Sequence, residues 1–462
     1  MQEQKNPLSM QTVDVKQEAL EHVWMHATPM QEVAPEIGSR IIVEGKGCRV
    51  TDIEGRTYID ALAGLWLVNI GYGRREVAEA AARQMERIHY VSSAGYTTVP
   101  TTVLANKLAE ITPGSLARTF FVSGGSEAVE SAIKIAKQYH YLQGFPRRYK
   151  VISRRYSYHG ATFGAMSVSA ARYMKKSIFE PLMPGTMHVP PPYCYRCDYG
   201  MTYPSCELYC ARAIEQTVRF EDPETVAAII AEPISASCGI VVPPPEYLGM
   251  LRQICDRYGI LLIADEVING FGRTGKMFAC EHWNLEPDIM TVAKGLTSGY
   301  VPMGAAIVKP EIADVFMGER KRAIQHLLTF GGHAAAAAAA LENLAIIERE
   351  NLVENSAQVG AYLLDQLRQL SDHPMVGDVR GLGLLCGVEL VKDKKTREPF
   401  AEADELPKRM TEKLRDRGMI CRVAGNVIPF SPPLVVTRSD VDEMVRIVKE
   451  SIEEFAREAG IQ

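Results

Sequence analysis

Two short apolar runs within residues 260–296 constrain this chain more than any other stretch. The first, residues 260–264, stops abruptly at Asp265-Glu266, and the second, residues 289–293, stops at Lys294-Gly295. Short apolar runs bounded by polar or turn residues are the pattern of strands buried on both faces of a parallel sheet. In such sheets the functional side chains sit just past the carboxyl ends of the strands. Asp265 and Lys294, 29 positions apart, are therefore expected to meet in one crevice. An amine that can form a Schiff base, facing an acid that can hold a pyridine nitrogen protonated, points to pyridoxal 5′-phosphate (PLP) chemistry.

Strand-like runs ending in chemistry-bearing residues recur upstream. Residues 119–122 (TFFV) break at SGGSEA, and a helical pattern follows at Ala128, Val129, Ala132, Ile133 and Ala136. Strand, glycine turn and helix start is the geometry that aims backbone N–H groups at a phosphate, and an ordinary βα turn reads the same way. A short strand at 150–153 leads into Tyr158-His159, either of which offers a flat face to a planar cofactor. Residues 227–231 end in Glu232-Pro233, and 304–308 form one more apolar run. Strands alternating with helical segments give an α/β fold with a mostly parallel sheet covered on both faces.

A chain of 462 residues exceeds one ordinary domain. Residues 71–329 are expected to form the large domain. Residues 1–70, with a hairpin turning at Glu54-Gly55, join residues 330–462 in a smaller α+β domain. Expected helices lie at 77–90, 102–111, 334–350, 357–370, 406–417 and 440–456, and residues 381–390 read as one strand. Val23-Trp24 reads as a local anchor in an otherwise weakly patterned N-terminal segment.

The net charge of −5, without a sustained basic run, argues against nucleic acid or an anionic membrane surface as the main partner. The polar N-terminus lacks the apolar core of a signal peptide, and no apolar stretch is long enough to span a bilayer. Ten cysteines are too few for a disulfide scaffold, so a reducing cytoplasm is expected. Four of them, Cys194, Cys197, Cys206 and Cys210, crowd into residues 190–210 with C-x2-C-x8-C-x3-C spacing. That spacing is compatible with a structural zinc site and with reduced thiols packed in an aromatic loop. No metal is assigned to the catalytic site.

The motifs GLWLVNIGYGR (64–74), SGGSEAVESAIKIAK (123–137), SYHG (157–160), AEPI (231–234), IADEVINGFGRTG (263–275), AKGLTSGYVPMGA (293–305) and SPPL (431–434) occur in the order found in one family. The chain resembles the class III aminotransferases, among the fold type I PLP enzymes, and within them the ω-amino acid and amine:pyruvate transaminases. The resemblance implies that Lys294 carries the cofactor as a Schiff base and moves protons, and that Asp265 pairs with the pyridine nitrogen. It places Gly124, Gly125 and Ser126 at the phosphate, Tyr158 on the ring, Val267 on the opposite face and Glu232 in the surround, and His159 is counted with them as cofactor-binding. Thr329 is implied to complete the phosphate site of a neighbouring subunit, giving a homodimer or a tetramer of such dimers.

Two further residues bear on substrate. Arg422 matches a mobile arginine that meets the carboxylate of pyruvate or alanine, and a surface ion pair is its plain alternative. Trp66 matches a wall of the amine pocket, with core packing as its alternative; Tyr158 borders the same pocket. The chain departs from the family at Ala424-Gly425-Asn426, where Cys-Gly-Asp is frequent. The resulting expectation is a ping-pong transaminase taking β-alanine, taurine, 4-aminobutyrate, a diamine or an arylalkyl amine, with pyruvate as acceptor. An aminomutase or decarboxylating transaminase on the same fold, or a non-catalytic PLP-binding protein, are the rival readings.

Overall fold

The structure, a computed structural model, describes residues 12–171 and 174–461. The polar first eleven residues lie outside the described residues. After the helix Thr12–His22, three short strands, β1 (Ile42–Lys46), β2 (Arg49–Asp52) and β3 (Thr57–Asp60), form an antiparallel meander. Its second turn is the expected Glu54-Gly55 turn. The Asp52 carboxylate fastens it by accepting the backbone N–H groups of Glu54 and Arg56, both at 2.9 Å. Trp24 does not act as an anchor within its own chain, where it is 88% exposed.

Seven strands build the central sheet: β4 (Arg118–Val122), β5 (Lys150–Arg154), β6 (Thr186–Val189), β7 (Val226–Ala231), β8 (Leu261–Asp265), β9 (Ile289–Val292) and β10 (Gly304–Val308). Their spatial order is β4-β10-β9-β8-β7-β5-β6. β10 runs antiparallel to both of its neighbours, and the remaining pairs are parallel. The fold is thus α/β with a mostly parallel seven-stranded sheet.

Period-two alternation sorts the strand residues between two apolar layers. Ala228, Ile230, Leu261, Ile263, Ile289, Ala306 and Val308 pack on Val129, Ala132, Ile133 and Ala136 of the helix Gly125–Leu142. Ile229, Ala231, Leu262, Ala264, Met290, Val292, Ala305 and Ile307 face the larger core on the other side. The alanine run at 334–340 begins the helix Ala334–Arg349. Its small side chains let it lie close against the helices Arg75–Arg87 and Val99–Ile111.

The C-terminal part contributes β11 (Val376–Leu382), β12 (Leu385–Leu390), β13 (Met419–Ile420) and β14 (Val427–Phe430). β11, β12 and β14 form an antiparallel sheet, while β13 pairs in parallel with β3. The single strand expected over 381–390 is instead a hairpin. Gly383 turns the chain at φ +58, and a Cβ there would stand 2.3 Å from the carbonyl carbon of Thr274. Apolar residues on both sides of the turn hide it from a periodicity reading. Gly55 is also left-handed, at φ +83, but has open space around it.

Gly383→Ala should therefore cost about 3 kcal/mol, combining a left-handed alanine with overpacking. Gly55→Ala should cost about 1 kcal/mol. Urea unfolding midpoints of the two variants measure the difference, and equal losses would contradict the tight packing at Gly383.

Candidate active site

The carboxyl ends of β8 and β9 converge as their apolar runs require. Asp265 is the last residue of β8 and is 3% exposed. Its register partner on β9 is Thr291, whose hydroxyl donates to Asp265 Oδ1 at 3.0 Å. The Val267 N–H donates to the same oxygen at 3.1 Å, and His159 Nδ1 lies 2.6 Å from Oδ2. His159 is held in turn by its backbone N–H, which donates to Ser169 Oγ at 2.8 Å. Three of the carboxylate's roughly four lone-pair directions are thereby used, leaving one for a group in the cavity.

Lys294 follows β9 in a left-handed conformation, φ +45, which a lysine adopts only when its surroundings impose it. The imposing contacts come from Asn343, whose Nδ2 donates to the carbonyls of Gly295 at 2.9 Å and Leu296 at 3.0 Å. Burial lowers the Lys294 amine to about 8, while the charges of Asp265 and Glu232 pull it upward. Glu232, at the end of β7, accepts from Ser235 Oγ and the Ala236 N–H, both at 3.1 Å. Burial shifts its carboxyl upward, with His159 and Arg154 opposing and Asp265 reinforcing.

Lys294 and Asp265 share a cavity of about 150 Å³ with Gly125, Ser126, Tyr158, His159, Glu232 and Val267. Gly125 opens an 18-residue helix, and a Cβ there would stand 2.9 Å from Val267 Cγ1. Glycine thus lets the helix start approach the chain just beyond Asp265. Gly124 precedes it in extended backbone with open space beside it. Ser126 Oγ accepts the Ala161 N–H at 3.0 Å, joining the helix start to the Tyr158–Gly160 loop.

A second cavity, about 430 Å³, lies next to the first. Trp66 and Arg422 line it, together with Glu389 and residues 236–239 and 423–427. The neighbouring residue Leu65 borders the first cavity, and the Arg422 charge partly offsets the upward shift that burial gives Tyr158. Trp66 also packs at the edge of a small core with Ile234, Ala236, Ile240 and Leu385, so both readings of it describe the same position. Arg422 is exposed. Thr329 does not line the cavity of its own chain. It is exposed, its carbonyl accepting from Tyr90 Oη at 3.0 Å. Cys194, Cys197, Cys206 and Cys210 are thiols around one small cavity with Tyr199, Tyr203 and Tyr209. Among the described residues, no group of three or more His, Cys, Asp or Glu side chains is arranged to hold a metal ion.

Thr291, Ser169, Asn343 and Leu65 escape the sequence reading because each is an ordinary residue of its element. For Thr291 alone a signal exists: it is the polar interruption of the second apolar run, opposite Asp265 in parallel register.

The family model for class III aminotransferases matches residues 32–452. The chain belongs to this family. The putrescine–pyruvate aminotransferase of Pseudomonas aeruginosa is 38% identical over 91% of this chain and 92% of its own length. The crystal structure of an (S)-enantioselective ω-transaminase from Thermomicrobium roseum superposes with a TM-score of 0.92 at 41% identity, covering 97% of this chain and 99% of the other. An amine transaminase from an uncultivated Pseudomonas species, solved in a PLP-bound form, has a TM-score of 0.88 at 38% identity, covering 94% and 98%. This class III aminotransferase is a PLP-dependent enzyme.

The cavity fits that cofactor by its donor set. A helix N-terminus with a glycine cradle suits the phosphate. A lone amine suits the aldehyde, and a buried carboxylate with one free direction suits the ring nitrogen. His159 Nε2 is buried without a hydrogen-bond partner, so the cavity also holds polar capacity that this chain leaves unused.

An amine attacks only when neutral. The rate at which apo-protein captures added PLP, followed by absorbance, should rise with pH through about 8 and then level. A midpoint near the ordinary lysine value would contradict the desolvated site.

Proposed function

We propose that this aminotransferase moves an amino group from an ω-amino acid or amine to a 2-oxo acid, pyruvate, in ping-pong fashion. The observation that carries the reading is the pairing of Trp66 with Arg422 in a cavity adjoining that of Lys294. An indole beside a cation gives one site an apolar wall for an amine's carbon skeleton and a bidentate partner for a carboxylate. The putrescine–pyruvate relative supports pyruvate as acceptor.

Bound PLP supplies a cationic ring that accepts the electron pair left when the donor's amine-bearing carbon loses its proton. Lys294 Nζ is the catalytic base that takes this proton, and in the return half-reaction it delivers one to the keto carbon of the acceptor. Its desolvation keeps the neutral form accessible near working pH. Asp265, oriented by His159 and Thr291, holds a proton at the ring nitrogen. The helix start at Gly124, Gly125 and Ser126 anchors the phosphate, Tyr158 and Val267 confine the ring, and Glu232 fixes the loop through Ala236. Arg422 receives the pyruvate carboxylate and moves aside for donors without one, which its exposure permits.

Thr329 belongs to the partner subunit's site in a homodimer. Support comes from the exposed apolar surface beside it: Tyr96, Val99, Leu327 and Phe330 are each more than half exposed in the single chain. β-Alanine, taurine, 4-aminobutyrate, diamines and arylalkyl amines are the donor classes. Cytoplasmic placement rests on a cysteine content, ten in 462 residues, too low for a disulfide scaffold. No helix among the described residues is long and apolar enough to cross a membrane.

A panel of these donors against pyruvate, 2-oxoglutarate and glyoxylate, read as alanine, glutamate and glycine formed, should show alanine from pyruvate with at least one donor class. Lys294→Ala should abolish turnover. Arg422→Ala should raise the pyruvate KM about tenfold or more, the cost of one charge-assisted contact. It should leave the half-reaction of an uncarboxylated amine within about twofold. Absence of product with every acceptor, or turnover by Lys294→Ala at a comparable rate, would overturn the reading.

A further inference from the structure

Residues 61–67 carry both Leu65, at the first cavity, and Trp66, at the second. Their backbone is unusual. Ala63 (φ +48) and Trp66 (φ +66) are left-handed, a conformation that L side chains avoid unless something holds it, and Gly64 between them also has a positive φ of +66. The holding group is Asp60, the last residue of β3, which is 2% exposed. Its Oδ1 accepts the Leu62 N–H at 2.9 Å. Its Oδ2 accepts both the Gly64 N–H at 2.5 Å and the Tyr72 hydroxyl at 2.6 Å.

Tyr72 is itself fixed to β1. Its backbone bridges Gly47 in both directions, at 2.9 and 3.1 Å. Its ring lies so close to Gly45 that a Cβ there would stand 2.8 Å away. Asp60 is also the register partner of Ile420, two residues before Arg422, on β13. The two walls of the substrate cavity therefore leave the small sheet from adjacent strand ends, and the Asp60 carboxylate sets where one of them goes.

We infer that Asp60, fixed by Tyr72, is a positioning residue for Trp66 and thereby determines which amine donors the enzyme accepts. The inference rests on the proposed substrate role of the Trp66 cavity. Asp60 lines neither cavity, so it touches no substrate; besides the loop it holds, its charge faces the buried Arg273 guanidinium. Losing its contacts frees Ala63 and Trp66 to relax toward ordinary backbone angles. The indole then swings out of the wall, and the pocket ceases to discriminate donors by the bulk of their carbon skeleton.

The test uses Asp60→Asn and Tyr72→Phe, the second retaining the ring against Gly45 and removing only the hydroxyl. The first readout is acrylamide quenching of Trp66 in a Trp24→Phe, Trp283→Phe background, where it is the sole tryptophan. Both variants should increase quenching. The second is the ratio of kcat/KM for an arylalkyl amine to that for β-alanine with pyruvate. It should change about tenfold, the scale of a misplaced apolar contact, mostly through KM. On a Trp66→Ala background the same substitutions should leave that ratio unchanged.

Wild-type quenching in both variants, or a ratio that still shifts on the Trp66→Ala background, would overturn the inference. If Asp60→Asn fails to fold, Tyr72→Phe decides it. Wild-type protein inactive toward every donor would instead overturn the functional reading, while the quenching arm still decides whether Asp60 places Trp66.

Discussion

The constraint on which the rest depends is a carboxylate kept almost wholly out of water. Isolated, the Asp265 side chain would be too costly to bury as an ion. Contacts from His159, Thr291 and the Val267 amide offset that cost, and each comes from a different part of the chain. β9 must lie beside β8 in parallel register to bring Thr291 opposite. The loop after β5 must fold back to bring His159, and Gly125 must lack a side chain so that Val267 can sit against the helix start. Satisfying one buried charge thus fixes the relative placement of two strands, one loop and one helix. The Lys294 amine then meets the same desolvated cavity and is shifted by it.

In the proposed reading, chemistry and selectivity are drawn from different parts of the chain. Lys294, Asp265 and Glu232 stand at the ends of central strands that are buried on both faces and tolerate little displacement. Trp66 and Arg422 leave the small N- and C-terminal sheet at β3 and β13, on loops with left-handed or exposed residues. Buried polar contacts join the two regions. Arg273, from the large sheet's loops, donates to Asn69 Oδ1 at 2.9 Å and to the Leu384 carbonyl at 3.3 Å, and burial lowers its guanidinium to about 9. These contacts tie the loops that carry the cavity walls to the sheet that carries the buried acid and amine.

What the sequence made legible follows from the same physics. Asp265, Lys294 and Glu232 stand out because an apolar run long enough to be a buried strand ends on a group that dislikes burial. Glycine at 124 and 125 before a helical pattern gave the cradle. β6 gave no such signal: it lies at the sheet edge, half-buried, and contains His188. Gly383 turns a hairpin inside an unbroken apolar stretch, so periodicity alone joined two strands into one. Trp24 looked like an anchor because large apolar residues are usually buried, yet nothing in its own chain covers it. Thr291 and Asn343 act through hydrogen bonds to partners distant in sequence, which no local pattern encodes.

The most direct test of the account is the protonation state of the cofactor's ring nitrogen, read by NMR from protein loaded with PLP carrying nitrogen-15 in the ring. Asp265 in its buried setting predicts a protonated nitrogen in the wild type above neutral pH, and an unprotonated one in Asp265→Asn. An unprotonated nitrogen in the wild type, or the same signal in both proteins, would contradict the central role given to this carboxylate.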